Sequence, residues 1–220
     1  MTIYSIAIDG PSGSGKSTLA KALAEKLNID YLDTGAMYRA FAYFVITEGF
    51  DIHDEKALME LLSKFSIDFS QGHILLNGEN IEGHIRTQEI DMAASIVSTF
   101  RMVREKMVDL QQRLAESKSM ILDGRDIGTV VLPHAKYKFY ITARPEIRAK
   151  RRLLQMNSSN TDYDEIYNQI LKRDNQDMTR KNSPLKKAED AILIDTSDET
   201  PEDTLYRILE IIQKIGRAHV

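Results

Sequence analysis

One stretch of small residues, Gly10-Pro-Ser-Gly-Ser-Gly15-Lys16-Ser17, ends in a lysine and a hydroxyl after six positions with almost no side chain. The pattern G-x-x-x-x-G-K-S suits phosphate chemistry, because backbone N–H groups can wrap around phosphate oxygens only where no bulky side chain blocks the approach. Gly10, Pro11, Ser12, Gly13, Ser14 and Gly15 would form the cradle, with Thr18 the next nucleotide-site position. Lys16 would add a charge on the β/γ oxygens, and the Ser17 hydroxyl can ligate Mg²⁺ arriving with a nucleoside triphosphate. A flexible Gly/Ser turn has the same composition. Here, however, the stretch lies between a strand-like run, Ile3–Asp9, and a helix from Ser17 with Leu19, Leu23 and Leu27 on one stripe. A helix N-terminus at that point adds its own attraction for anions.

Two further clusters carry charge beside glycine. Asp33-Thr34-Gly35-Ala36-Met37-Tyr38-Arg39 follows a short strand, Tyr31–Asp33. It reads equally as an ordinary strand-to-helix turn or as a ligand-facing helix start carrying Arg39. Asp123-Gly124-Arg125-Asp126-Ile127-Gly128-Thr129 leaves the run Ser119–Asp123 at the end where open α/β sheets bind ligands. Arg125 offers a fork for phosphate and Asp126 an acceptor for an amino group, although an Arg–Asp pair on a surface turn would look alike. Asp123, closing an apolar strand, resembles a second nucleotide-site element. Arg148, Arg151 and Arg152 share one face of a helix begun by Pro145, and Arg173, Asp177 and Arg180 repeat that spacing.

These residues need a scaffold, and the chain supplies one. Short β-rich runs (Ile3–Asp9, Tyr31–Asp33, Ser119–Asp123, Tyr137–Thr142, Ala191–Asp195) alternate with helical patterns, which predicts an α/β fold with a parallel sheet of about five strands. Thr200 caps the last helix, Pro201 opens it, and Leu205, Ile208, Leu209 and Ile212 line one face; from Gly216 it should fray. Two segments interrupt the alternation. After Asp51 come a helix with Leu58, Leu61, Leu62 and Phe65, then β runs Ser66–Ser70 and His73–Leu76 joined at Gln71-Gly72, with Asn77-Gly78 a further turn signal. This predicts an inserted α+β lobe. The second interruption is the polar stretch 157–161 between helices Glu146–Met156 and Tyr163–Asp177, a pair able to move as a flap.

Composition narrows the classes. The 220 residues suffice for one domain with insertions, and a net charge of −4 gives no bulk basic field for nucleic acid. There is no cysteine, so disulfides and thiolate chemistry are out. No apolar stretch is long enough to span a bilayer, and the N-terminus shows no charged and apolar leader, which together predict a cytoplasmic address. The five histidines show no metal-ligand spacing. A guanine-reading N-K-x-D stretch is missing; Lys172-Arg173-Asp174-Asn175 has the wrong order for a GTPase. A nucleotide-dependent switch acting on a partner protein, and a small kinase with another acceptor such as UMP, are the competing readings.

Taken in order along the chain, GPSGSGKS, DTGAMYR, IRTQE (Ile85–Glu89), DGRDIGTVV (Asp123–Val131) and KRDNQDMTR (Lys172–Arg180) resemble the bacterial cytidylate kinases over nearly the whole sequence. The resemblance implies a single P-loop kinase domain of three-layer sandwich form. Its core would take in about 1–50, 101–147 and 184–220, with a monophosphate-binding lobe at about 51–100 and a helical lid at about 148–183. It also implies roles: Arg39, Arg125 and Thr34 on the CMP phosphate; Ser95, Arg104 and Asp126 on the cytosine edge; Arg173 and Asp177 on the ribose; Arg180 on phosphates from the lid. Asp123 is grouped with the CMP-binding residues. Phosphoryl transfer needs positioning and cationic stabilisation, which makes Lys16, Arg148, Arg152 and Arg180 the expected catalytic charges. Mg²⁺ would sit on Ser17, with Asp33 either orienting one of its waters or purely structural. The partners implied are ATP and CMP or dCMP, and nothing calls for more than a monomer.

Overall fold

The computed structural model describes residues 3–70, 73–156 and 162–217. The expected turn at Gln71-Gly72, the stretch 157–161, His219 and most of the fraying end lie outside the described residues. The chain divides into two compact units, Asp33–Ser117 and the segments on either side of it.

The flanking segments build the first unit. Its sheet has five strands in the order β2-β6-β1-β7-β8: β1 Ser5–Asp9, β2 Asp30–Asp33, β6 Met120–Gly124, β7 Tyr137–Thr142 and β8 Ile192–Asp195. β1 pairs in parallel with β6 and β7, and β7 with β8, so the architecture is α/β as predicted. In register, Asp9 lies opposite Gly124 on one side and Tyr140 on the other. Residues at the carboxyl ends of β1 and β6 therefore emerge side by side. The inner strands are near-continuous apolar runs because helices cover them. Leu19, Ala20 and Leu23 of α1 (Lys16–Leu27) and Leu205, Ile208 and Ile212 of α8 (Pro201–Arg217) bury against Ile6, Ile8, Ile121, Phe139 and Ile141. Each large side chain so buried contributes about 1.5–3 kcal/mol.

Two helices of this unit, α6 (Pro145–Met156) and α7 (Tyr163–Thr179), pack as a pair on Ala149, Ile166 and Ile170, with Leu153, Tyr163 and Tyr167 at the margin. Their apolar seam is narrow, and Leu154, Leu171 and Met178 stay exposed outside it. After β6 the chain makes one wide π-helical turn, Ile127–Val131, a form often found at functional sites.

The second unit, Asp33–Ser117, holds α2 (Thr34–Thr47), α3 (Glu55–Lys64), α4 (Gln88–Val97), α5 (Arg101–Ser117) and an antiparallel sheet of β3 (Ile67–Ser70), β4 (His73–Leu76) and β5 (Glu79–Asn80). Asn77 and Gly78 both have positive φ, 49° and 89°, as the primed turns of tight hairpins require. The unit is wider than the lobe predicted at about 51–100, because α2 and α5 belong to it. The reason is packing: α2 buries Met37, Phe41, Phe44 and Val45, and Phe65 stacks edge-on against Phe41 at 5.2 Å. No helix among the described residues is long and apolar enough to cross a membrane.

Candidate active site

The phosphate loop links β1 to α1, as its composition predicts. Gly10 sits so close to β7 that a Cβ there would collide with the Ile141 carbonyl oxygen, and Gly15 (φ 88°) is the left-handed residue from which α1 starts. Lys16 Nζ donates to the Pro11 carbonyl at 3.2 Å, folding the lysine back over the loop. Ser14 Oγ is buried with no hydrogen-bond partner among the described residues, and its carbonyl accepts from Thr196 Oγ1 at 3.1 Å. Arg151 reaches the same corner, donating to Thr196 Oγ1 at 2.9 Å and to its carbonyl at 2.6 Å.

Asp123, read both as a second nucleotide-site element and with the CMP-binding group, lies against the start of α1. Its Oδ2 accepts from Ser17 Oγ at 2.7 Å and its Oδ1 from the Tyr31 hydroxyl at 2.8 Å, which puts this carboxylate beside the phosphate loop. Ser17 and Asp123 together form a pair of hard oxygen donors at the helix start. That donor set suits Mg²⁺, which takes one or two protein oxygens and keeps its waters.

Arg148, expected among the catalytic charges, is bound on all sides by the protein. Its side chain is 5 % exposed and its guanidinium is committed: Nε to the Ala143 carbonyl at 2.9 Å, one terminal nitrogen to the Ser12 carbonyl at 3.0 Å and to Asp174 at 2.6 Å. Asp174 Oδ1 accepts the Ser12 N–H in turn, at 3.4 Å. The Ser12 peptide is thus held at both ends, by α6 and by α7. Arg152, one turn further on α6, is exposed.

Beyond β6 lies an alternating row of charges. Arg125 Nε donates to Asp177 Oδ2 at 2.8 Å; Arg180 stands 3.5 Å from Asp177 and 3.7 Å from Asp126. All four side chains are largely buried. Burial alone would raise the Asp177 carboxyl, but Arg125 above all, and Arg180 behind it, hold it below the usual carboxylate range. Arg173 is half-buried on α7, four residues before Asp177.

The second unit carries the remaining predicted residues. Asp33 caps α2, accepting the Ala36 N–H at 3.1 Å on Oδ1, and accepts from Arg39 at 2.8 Å on Oδ2. Burial would raise this carboxyl, yet the Arg39 charge and hydrogen bond and the Ala36 amide together hold it low. Arg39 Nε is buried and makes no hydrogen bond among the described residues. Thr34 is the buried first residue of α2, and Ser95 is half-buried on α4. Arg104, buried on α5, lies over the Tyr38 ring at 5.5 Å and donates to the Ser98 carbonyl at 3.3 Å.

Three residues in these contacts lie outside the predicted site, Tyr31, Asp174 and Thr196, and so does Asp9, which accepts the Ile127 and Gly128 N–H groups. Asp174 stands in the KRDNQD run and Asp9 directly before Gly10, so adjacency to a motif was the available signal. Tyr31 and Thr196 carried none.

Comparison with known proteins gives one answer. The cytidylate kinase family profile matches residues 6–214. A cytidylate kinase from Alkaliphilus oremlandii is 46% identical over 217 residues, covering 98% of this chain and 100% of that protein. One from Caldanaerobacter subterraneus subsp. tengcongensis is 46% identical over 217 residues, covering 98% of this chain and 97% of the relative. Among solved structures, a shikimate kinase from Bacteroides thetaiotaomicron superposes with a TM-score of 0.52 at 14% identity, over 96% of this chain and 98% of that one, a likeness of fold alone. The chain belongs to the cytidylate kinase family.

Proposed function

We propose that the protein transfers the γ-phosphate of MgATP to CMP or dCMP, giving ADP and CDP or dCDP. One observation carries the reading beyond family membership. A phosphate loop with its Ser17–Asp123 oxygen pair follows β1, and Arg125 and Asp126 follow the neighbouring strand β6, where Asp177 and Arg180 from α7 and its end complete the charge row Asp126–Arg180–Asp177–Arg125.

Loop amides and Lys16 bind the triphosphate, while Ser17, with Asp123 through water, would hold Mg²⁺. The ion supplies positive charge on the β and γ oxygens when bound. Arg148 and Asp174 act at one remove as positioning residues, keeping the Ser12 peptide in the cradle. Arg152 and Arg180 are the guanidiniums assigned to charge building up on the equatorial oxygens of the transferred group. A CMP phosphate is already an oxyanion near neutral pH, so no general base is required.

Arg125, Arg39 and Thr34 are the acceptor-phosphate ligands in this reading. Arg125 would exchange Asp177 for the substrate phosphate, freeing that carboxylate to face the ribose with Arg173. Cytosine presents a donating amine beside accepting N3 and O2. Asp126 suits the amine, and Arg104 with Ser95 suits the acceptors. Uracil would set a carbonyl oxygen against the Asp126 carboxylate, a mismatch that a polar site rejects strongly.

The test is ADP release with MgATP and each of CMP, dCMP, UMP and AMP, for the wild type and Asp126→Ala. Turnover with CMP and dCMP alone, lost mainly for those two in the variant, is the expected result. ADP released equally without any acceptor would overturn it.

A further inference from the structure

The main chain after Asp126 is held from the neighbouring strand by a residue outside every nucleotide motif. Asp9 ends β1 and directly precedes Gly10, the first residue of the phosphate loop. It is 4% exposed. Its Oδ1 accepts the Ile127 N–H and its Oδ2 the Gly128 N–H, both at 2.7 Å. Those distances are at the short, charge-assisted end of the N–H···O range. The two amides open the π-helical turn, whose own preceding residue, Asp126, provides no side-chain cap. A Cβ on Gly128 would lie 3.4 Å from Asp9 Oδ2 and 3.3 Å from Lys138 Cδ, so the turn packs closely on the carboxylate. Beyond the far end of the turn, Lys138 Nζ donates to the Pro133 carbonyl at 2.5 Å and to Asp190 at 2.7 Å.

We infer that Asp9 is a positioning residue that ties the loop carrying Arg125 and Asp126 to the phosphate loop, so that the acceptor-reading groups and the donor cradle keep one fixed relation. The inference rests on the acceptor role proposed above for Asp126. Asp9 touches no substrate itself. It stands one residue before Gly10, and the amides it holds are the first and second after Asp126. A tilt of the π turn would therefore turn Asp126 away from its partner, and the two Asp9 bonds oppose it from β1.

The tether also senses pH. Asp9 faces the Asp126 carboxylate and Arg125 guanidinium from the loop and the Tyr140 hydroxyl across β7. Burial, foremost, pushes its carboxyl up to about 7; the two amides pull it down, Asp126 raises it further and Arg125 lowers it. A proton on one oxygen weakens one of the two bonds that hold the turn.

Asp9→Asn keeps the shape, but sets an amide NH₂ against one of the two backbone N–H groups. The expected effect is a CMP-over-UMP ratio of kcat/KM narrowed about tenfold, as losing one hydrogen bond to a charged acceptor implies, with a smaller change in KM for MgATP. In the wild type the same ratio should narrow as pH falls from about 8 to about 6, and Asp9→Asn should remove that dependence. Using a ratio cancels the titration common to both monophosphates. An NMR titration of the unliganded protein gives an independent reading: the Ile127 and Gly128 amide signals should move together with a midpoint near 7, and in Asp9→Asn they should not. An unchanged CMP-over-UMP ratio in Asp9→Asn, or amide signals that ignore pH in the wild type, would overturn the inference. If the wild type failed to phosphorylate CMP, the functional reading would fall, while the amide titration would still decide the tether. If Asp9→Asn failed to fold, the wild-type titration would decide alone.

Discussion

Asp174→Ala should cost stability and nucleotide affinity together, because one carboxylate serves both. Asp174 is 9% exposed and its Oδ2 lies 2.6 Å from an Arg148 side chain that is 5% exposed. Removing one partner of such a buried pair leaves an uncompensated charge, a loss of about 3–5 kcal/mol. Arg148 keeps the Ala143 and Ser12 carbonyls, at 2.9 and 3.0 Å, which favours the lower end. For a chain of this size 1 kcal/mol moves Tm by about 2–4 °C, so ~3 kcal/mol predicts a fall of roughly 6–12 °C. Replacing both residues, Arg148→Met with Asp174→Leu, removes the orphan charge and should cost less than the two single changes added together. Urea denaturation of the wild type, the two single variants and the double variant measures that coupling directly. A titration with MgATP should show weaker binding in every variant, since the Ser12 peptide is released from at least one of its two restraints. Additive losses, or Asp174→Ala within about 1 kcal/mol of the wild type, would refute the brace.

Two other outcomes follow from the same contacts. The Asp9 carboxyl is raised in the fold to about 7, against about 3.9 in an unfolded chain, so its contribution is complete below about pH 4 and is lost as pH rises through 7. The stability gap between wild type and Asp9→Asn, followed by urea denaturation, should therefore shrink from pH 5 to pH 8; a gap that grows would contradict the burial argument. Asp123→Asn should weaken the Ser17-side metal site, so that about tenfold more Mg²⁺ is needed for half-maximal protection of the protein from thermal unfolding by ATP, with a smaller effect from Tyr31→Phe. Equal Mg²⁺ requirements in wild type and Asp123→Asn would remove this carboxylate from the metal site.

The sheet was legible because its strands are short apolar runs that end at polar punctuation, and all five fall within two residues of the expected bounds. The phosphate loop was legible for a related reason: close backbone approach demands glycine at fixed spacing, which a linear pattern records. Helices α4 and α5 were not read, although they carry Ser95 and Arg104. The compact unit Asp33–Ser117 also takes in α2 and α5, whose apolar faces would fit a core equally well in the sequence alone.

The larger gap concerns what the charged residues touch. Arg148 and Arg152 share a helix face in sequence, yet one is sealed into the Ser12 brace and the other is exposed, because only Arg148 lies level with the loop. Asp123 and Asp9 both end apolar strands beside glycine. One turns to Ser17 and Tyr31, the other to amides more than a hundred residues away. Register decides this: Asp9 pairs with Gly124, which has no side chain, so its carboxylate can reach past β6 to the turn that follows. A sequence shows which groups are able to carry charge at the edge of a sheet. Which neighbour each one meets depends on the strand order, and β6 and β7 come to flank β1 only after more than a hundred intervening residues have folded.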